Sequence, residues 1–294
     1  MIQPNFLIVG AAKSGTTSLY RYLRQHPDIF MPEWKELSLF IGDPFGPLHK
    51  AKSAFIYQKA FSKVGLQTAV GEASTAYLFD QSAPKIIQEK LGTIRIIISL
   101  RDPVAMSYSL YNHQLRREGE TIENFEAALA KEEDRRKDRE FKKKCYGWHA
   151  NYYYYRRGLY YHQVKGYLDI FGRENVLIII FEEFVDNVLH NVQEIYRFLQ
   201  VDHTFVPEIK IHNPAGGIFN IPRFWQDTGL FLKTCQFIFS ENLIKKVPHL
   251  LRNMGRKPPL PINPVTAKKL RNRFYDDICQ LEQLIGKDLS LWKN

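Results

Sequence analysis

Cysteine is scarce in this chain: three occur in 294 residues, at Cys145, Cys235 and Cys279. The number is odd, the spacing is wide, and no C-x-x-C pair or nearby histidine supplies ligand spacing. A disulfide framework and a zinc site are therefore excluded as organising devices, and idle thiols in a reducing, cytoplasmic setting are expected. Long apolar runs are also missing, since none approaches the roughly 20 residues that a membrane helix needs. The first strand begins so close to residue 1 that no secretory leader is expected. No repeat or low-complexity linker divides the sequence, which reads as one domain over residues 1–294. Acidic residues are the last deficit: 31 Asp and Glu stand against 41 Lys and Arg, leaving a net charge of +10. Such a surface concentrates phosphates, sulfates and acidic glycans around itself. Between residues 116 and 144 the two signs are interleaved, which reads as an exposed helix and not as a tail for nucleic acid, with a movable flap as the alternative.

What is present is 45% hydrophobic and 14% aromatic, ample for a packed core. The rest of the chain hangs on Phe6-Leu7-Ile8-Val9-Gly10-Ala11-Ala12-Lys13-Ser14-Gly15-Thr16-Thr17-Ser18-Leu19. Its apolar start suits a parallel strand buried on both faces. Gly10 and Gly15 bracket a loop, and a helix follows from about Thr16. Loop amides and the positive end of that helix then face one spot, where an anion belongs. In the nucleotide triphosphate loop G-x-x-x-x-G-K-[ST], lysine directly follows the second glycine. Here Thr16 holds that post and the lysine is Lys13, inside the loop, placed to reach the bridging oxygen of a phosphate ester. Ser14, Gly15, Thr16, Thr17 and Ser18 supply N–H groups and hydroxyls around it.

The run Ala12 to Leu19 resembles the 5′-phosphosulfate loop of sulfotransferases that use 3′-phosphoadenosine 5′-phosphosulfate (PAPS). Further on, Ile94 to Leu100 reads as a buried strand that delivers Arg101-Asp102-Pro103 at its end, and a helix follows. Arg101 and Ser109, eight residues apart, can face one ligand. Their pairing resembles the family's 3′-phosphate site, where an arginine fork suits phosphate oxygens. Lys35-Glu36 followed by Phe40 resembles the K-E-x-x-F-F element of glycan-modifying members, in which the glutamate is the catalytic base. Burial against Trp34 and Phe40 would raise the pKa of Glu36 towards a useful range. Gly71-Glu72-Ala73-Ser74, at the end of a second buried strand, makes Glu72 the other base candidate.

Other segments carry weaker signals. His26-Pro27 reads as a helix end. Tyr152 to Tyr155 with Tyr160 and Tyr161 are expected on helix, where some of their hydroxyls would have to reach water or an acceptor. A strand over residues 176–181 and a helix over 188–199 continue the alternation. Asn213, Gly216 and Gly217 resemble a loop that folds over the nucleotide in bacterial members, although the K-G-R-x-H-P signature of the animal glycan enzymes is missing. Residues 270–292 resemble the closing helix and L-S-x-W tail of the same group.

Alternating strands and helices predict an α/β fold: a P-loop-like three-layer sandwich with a central parallel sheet flanked by helices. The resemblance implies a sulfotransferase that moves the sulfuryl group of PAPS to a hydroxyl acceptor by in-line transfer, releasing PAP, with Glu36, Lys13 and Glu72 as catalytic candidates and no metal. A carbohydrate, an acidic glycan, a glycolipid or a small alcohol would serve as acceptor. A nucleotide kinase and a non-catalytic nucleotide- or glycan-binding protein are the alternatives.

Overall fold

The computed structural model describes residues 3–42, 55–209 and 260–294. Among these, five strands form one parallel sheet: β1 (Phe6–Gly10), β2 (Ile29–Phe30), β3 (Ala69–Ala73), β4 (Arg95–Leu100) and β5 (Val176–Ile180). Their order is β2-β3-β1-β4-β5. β1 is central, with Phe6 opposite both Gly71 and Arg95, while β4 runs beside β5 from Ile96 opposite Val176 to Leu100 opposite Ile180. Because all strands run one way, the segments after β1, β3, β4 and β5 emerge at one edge, where ligands of such sheets gather. This is the three-layer α/β sandwich that the alternation predicts.

Side-chain alternation builds the layers. Leu7 and Val9 pack towards the helices Pro103–Arg116, Tyr160–Phe171 and Pro264–Ile285, together with Leu110, Val164, Tyr167 and Phe274. Phe6 and Ile8 face the other way, against Leu19 and Leu23 of the helix Thr16–Leu23 and Val192 and Ile195 of the helix Val188–Leu199. Each such side chain contributes about 1.5–3 kcal/mol on leaving water. None of the helices among the described residues is long and apolar enough to cross a membrane.

A polar corner joins the last described elements to the sheet edge. Asp102 caps the helix that follows β4 through Val104 N, 2.8 Å away, while its own N–H donates to Glu182 at 3.1 Å. Arg271 reaches the other Asp102 oxygen at 3.3 Å, and its Nε donates to the Trp292 carbonyl at 3.2 Å. The buried Trp292 indole closes the ring by donating to Glu182 at 3.3 Å.

Two expectations change. Tyr152 to Tyr155 are not α-helical but pass through the 3-10 turns His149–Tyr152 and Arg156–Gly158, whereas Tyr160 and Tyr161 open the helix Tyr160–Phe171 as expected. Successive side chains there are not held to helical spacing, and Tyr152, Tyr153 and Tyr154 are all buried. The charged segment contains three short helices, Phe125–Ala130, Glu132–Lys137 and Arg139–Lys144. It is not a uniformly solvated face, because Arg135 is buried on Glu120 through two bonds of 2.7 Å. Tyr154 donates to the same carboxylate at 2.6 Å, and Glu132 accepts from the amides of Tyr155 and Arg156. These bonds tie the Glu132–Lys137 helix to the body of the domain.

Candidate active site

The loop after β1 is shaped by one obligatory glycine. Gly15 has φ 77°, and a Cβ there would stand 2.8 Å from the Phe181 ring. Lys13 also lies in the left-handed region, at φ 63°. The loop is pinned from β4: Ser99 Oγ donates to the Ser14 carbonyl at 2.6 Å, and Arg101 Nη1 donates to the Lys13 carbonyl at 3.3 Å. The Arg101 guanidinium lies 4.9 Å from the centre of the Phe181 ring. None of the amides of residues 13–17 donates to a carbonyl among the described residues. Those donors point to an external anion. Ser14 and Thr16 are buried, while Thr17 and Ser18 are half-buried on the first turn of the helix.

Cations gather where this anion would lie. Burial pushes the Lys13 ammonium down to about 8, and the charges of Arg116, Arg101, Lys35 and Arg117 push it the same way. His113 is held down at about 3 by burial, then by Lys13, Arg117 and Arg116. His113 therefore lies within electrostatic reach of Lys13. Ser109, His113, Arg116 and Arg117 recur at helical spacing, so the face that carries Ser109 is the face turned to the loop. So many like charges repel one another, and a multiply charged anion is what such a cluster accommodates. His113, Arg116 and Arg117 were missed by motif matching, although their spacing from Ser109 was available as a signal.

The two candidate carboxylates have different surroundings. Glu36 is at φ 63° in an irregular segment, with its N–H on the Ala73 carbonyl at 2.9 Å. Its side chain is 45% exposed, and Lys35 Nζ lies 3.3 Å from one oxygen and 3.3 Å from Thr16 Oγ1. The other Glu36 oxygen accepts from Thr75 N at 2.8 Å and Thr75 Oγ1 at 3.1 Å. The expected burial against Trp34 does not occur, because Trp34 is itself 46% exposed; Phe40 is buried, against Tyr57 and Tyr77.

Glu72 is the buried carboxyl of the pair. It accepts from Ser74 Oγ, its second oxygen has no partner among the described residues, and burial pushes its pKa up to about 7. Ser74 Oγ and Tyr77 OH in turn accept from the amides of Ser38 and Leu39, at 3.0 Å each. Glu72 thus supports the segment that presents Glu36, while Glu36 faces the open edge.

The structure brings Lys13 to Ser18, Arg101, the Ser109 face, Lys35 and Glu36 to one sheet edge. His26 stands apart as a helix-end residue: its Nδ1 accepts from Asp28 N at 3.1 Å and its Nε2 meets the Asp202 carbonyl at 2.8 Å. Asn213, Gly216 and Gly217 lie outside the described residues.

Comparison with known proteins follows the same geometry. The family model described as "Sulfotransferase domain" matches residues 3–212. The chain is 32% identical over 116 residues to the membrane-associated sulfotransferase kil1 of Dictyostelium discoideum, covering 38% of this chain and 23% of that protein. It is 26% identical over 305 residues to the bifunctional heparan sulfate N-deacetylase/N-sulfotransferase 4 of Mus musculus, covering 98% of this chain and 31% of that protein. The matched region is less than a third of either relative. Among solved structures, a sulfotransferase from Alicyclobacillus acidocaldarius is 32% identical and matches all of both chains with a TM-score of 0.75.

Proposed function

The chain belongs to the sulfotransferase family and is a sulfotransferase, and from that premise we propose that it takes the sulfuryl group from PAPS and passes it to a hydroxyl of a carbohydrate acceptor. The observation that carries this reading is the cation cluster around a loop whose lysine lies inside it. Lys13 and the amides of residues 13–17 would hold the 5′-phosphosulfate, with Thr16 and Thr17 beside it. Arg101 and Ser109 would hold the 3′-phosphate, which distinguishes this donor from other adenine nucleotides. In the proposed reaction, Glu36 takes the proton of the acceptor hydroxyl as its oxygen bonds to sulfur. The bond from sulfur to the bridging phosphate oxygen breaks, and Lys13 receives the charge that gathers on that oxygen.

Glu36 serves better than Glu72 because only Glu36 is open to an arriving hydroxyl. The glycan-modifying relatives favour a sugar acceptor, and the excess of basic residues favours an acidic one. Residues 1–294 are read as one sulfotransferase domain. Cys145 and Cys279 are free thiols, which suits a cytoplasmic setting.

The 3′-phosphate provides the test. Charge-assisted hydrogen bonds of this kind contribute roughly 1.5–3 kcal/mol each. Titration calorimetry at fixed ionic strength should show wild type binding PAP about two orders of magnitude more tightly than AMP, and the Arg101→Ala, Ser109→Ala double variant binding both alike. Equal affinity of wild type for PAP and AMP would remove the 3′-phosphate site and with it the PAPS reading.

A further inference from the structure

Arg157 is a buried cation for which the proposed reaction has no use. Only 3% of the residue is exposed. A guanidinium so placed normally has a carboxylate partner, yet no carboxylate among the described residues lies within ion-pair distance of it. Instead its Nη2 donates to the Thr75 carbonyl at 3.1 Å and its Nη1 to Asn151 Oδ1 at 3.4 Å. The Phe79 and Trp148 rings lie against it at 5.3 and 5.4 Å. They offer the weaker attraction of aromatic faces for a cation.

The chain around Arg157 is firmly held. Ser107 Oγ donates to the Tyr154 carbonyl at 2.7 Å, and Glu132 accepts from Arg156 N at 2.9 Å. A Cβ on Gly158 would stand 2.8 Å from the Phe274 ring. The charge is thus delivered to the Thr75 carbonyl, with Asn151 as a longer second contact. Thr75 is the residue whose N–H and hydroxyl both grip Glu36 Oε2.

We infer that Arg157 is a positioning residue for Glu36: it fixes Thr75 through the carbonyl, so that the Thr75 donors aim the carboxylate at the acceptor. This rests on the reading of Glu36 as the base. Burial lowers the Arg157 pKa to about 10, with the Glu36 charge acting in the opposite direction. The other charges facing Glu36 are Lys35 and, from beneath, Glu72. Lys35 touches Glu36 directly, and Arg157 acts on it through Thr75. A residue that only filled space at this point would need neither a charge nor a bond to Thr75.

A double-variant cycle separates these roles. The readout is PAP released from PAPS in the presence of heparosan, an acidic glycan with free hydroxyls, so that transfer to sugar or to water is counted alike. Arg157→Gln is expected to lower kcat about 20-fold, with the PAP Kd within twofold of wild type, and Arg157→Lys to recover most of that loss. In a Glu36→Gln background the same Arg157→Gln change should alter kcat less than threefold, because the group it positions no longer acts as a base. An equal loss in both backgrounds, or a PAP Kd that weakens in step with kcat, overturns the inference. If Glu36→Gln alone keeps wild-type kcat, the base assignment fails, and that arm reports it separately. Should Arg157→Gln not fold, Thr75→Ala probes the onward link, from the Thr75 hydroxyl to Glu36, at a half-buried position. A threefold to fivefold loss that vanishes in Glu36→Gln supports the inference, and an unchanged kcat or an equal loss in both backgrounds overturns it.

Discussion

Lys13→Ala is expected to lower sulfuryl transfer about 10³-fold while leaving the circular dichroism spectrum unchanged. The size follows from timing: the proposed role of Lys13 is to meet a charge that grows only as the bond to sulfur breaks, and removing one such group from a preorganised site costs about 10²–10³ in rate. Nothing in the sheet depends on its ammonium, because the Lys13 bond that ties the loop to β4 is made by its carbonyl. Titration gives an independent arm. In the free protein the ammonium sits at about 8. Phosphate oxygens arriving beside it favour the charged form and raise that value. Donor affinity is therefore complete below pH 8 and falls as pH rises past it, until the pKa of the bound state is passed. The PAP Kd should weaken about tenfold between pH 7 and pH 9 in wild type and stay flat in Lys13→Arg, whose guanidinium does not titrate in this range. A Lys13→Ala protein with near wild-type kcat would take the residue out of the mechanism.

Glu36→Gln is expected to reduce kcat about 10²-fold with little change in PAP affinity. The amide oxygen can keep the Thr75 bonds, while the NH2 can neither accept from Lys35 nor take a proton, and a positioned general base contributes roughly 10²–10⁴. Geometry makes Glu36 the bet over Glu72. A base must be reachable by its substrate, and Glu72 is fully buried. Glu72→Gln should act through support of Ser38 and Leu39, and so reduce stability more than rate. If chemical denaturation and turnover show the reverse pattern, with Glu72→Gln losing kcat and Glu36→Gln keeping it, the two roles must be exchanged.

The loop, the parallel sheet and the placement of Arg101 could be read from residue order because each depends on short-range chemistry. Gly15 marks a backbone turn that a side chain would block, and runs such as Ile96-Ile97-Ile98 have no other home than a sheet covered on both faces. β2 escaped notice because two residues carry no periodicity. Tyr152 to Tyr155 depart from the helix that Tyr160 and Tyr161 do join, because 3-10 turns place side chains by another rule. Arg157 was passed over for a different reason. Its meaning comes from Thr75, 82 positions away in the chain, and no local pattern announces such a partner. The same holds for Glu36, whose surroundings are set by Thr75 and Thr16 and not by its neighbour Trp34.

The corner behind Arg101 has a consequence for the order in which this protein is made. β1, β3, β4 and β5 are all synthesised by residue 180, so the sheet and its phosphate loop can form early. Asp102 must wait for Arg271, 169 residues later, and Glu182 for Trp292, 110 residues later. Contacts this distant are slow to close and arrive last. A growing chain thus owns a sheet before it owns a firm donor site, which is completed once Arg271 and Trp292 are available. Stalled chains ending near residue 205 should show protease-resistant sheet with no protection by PAP, whereas full-length chains should gain it; protection of the stalled chains would show that the corner is dispensable.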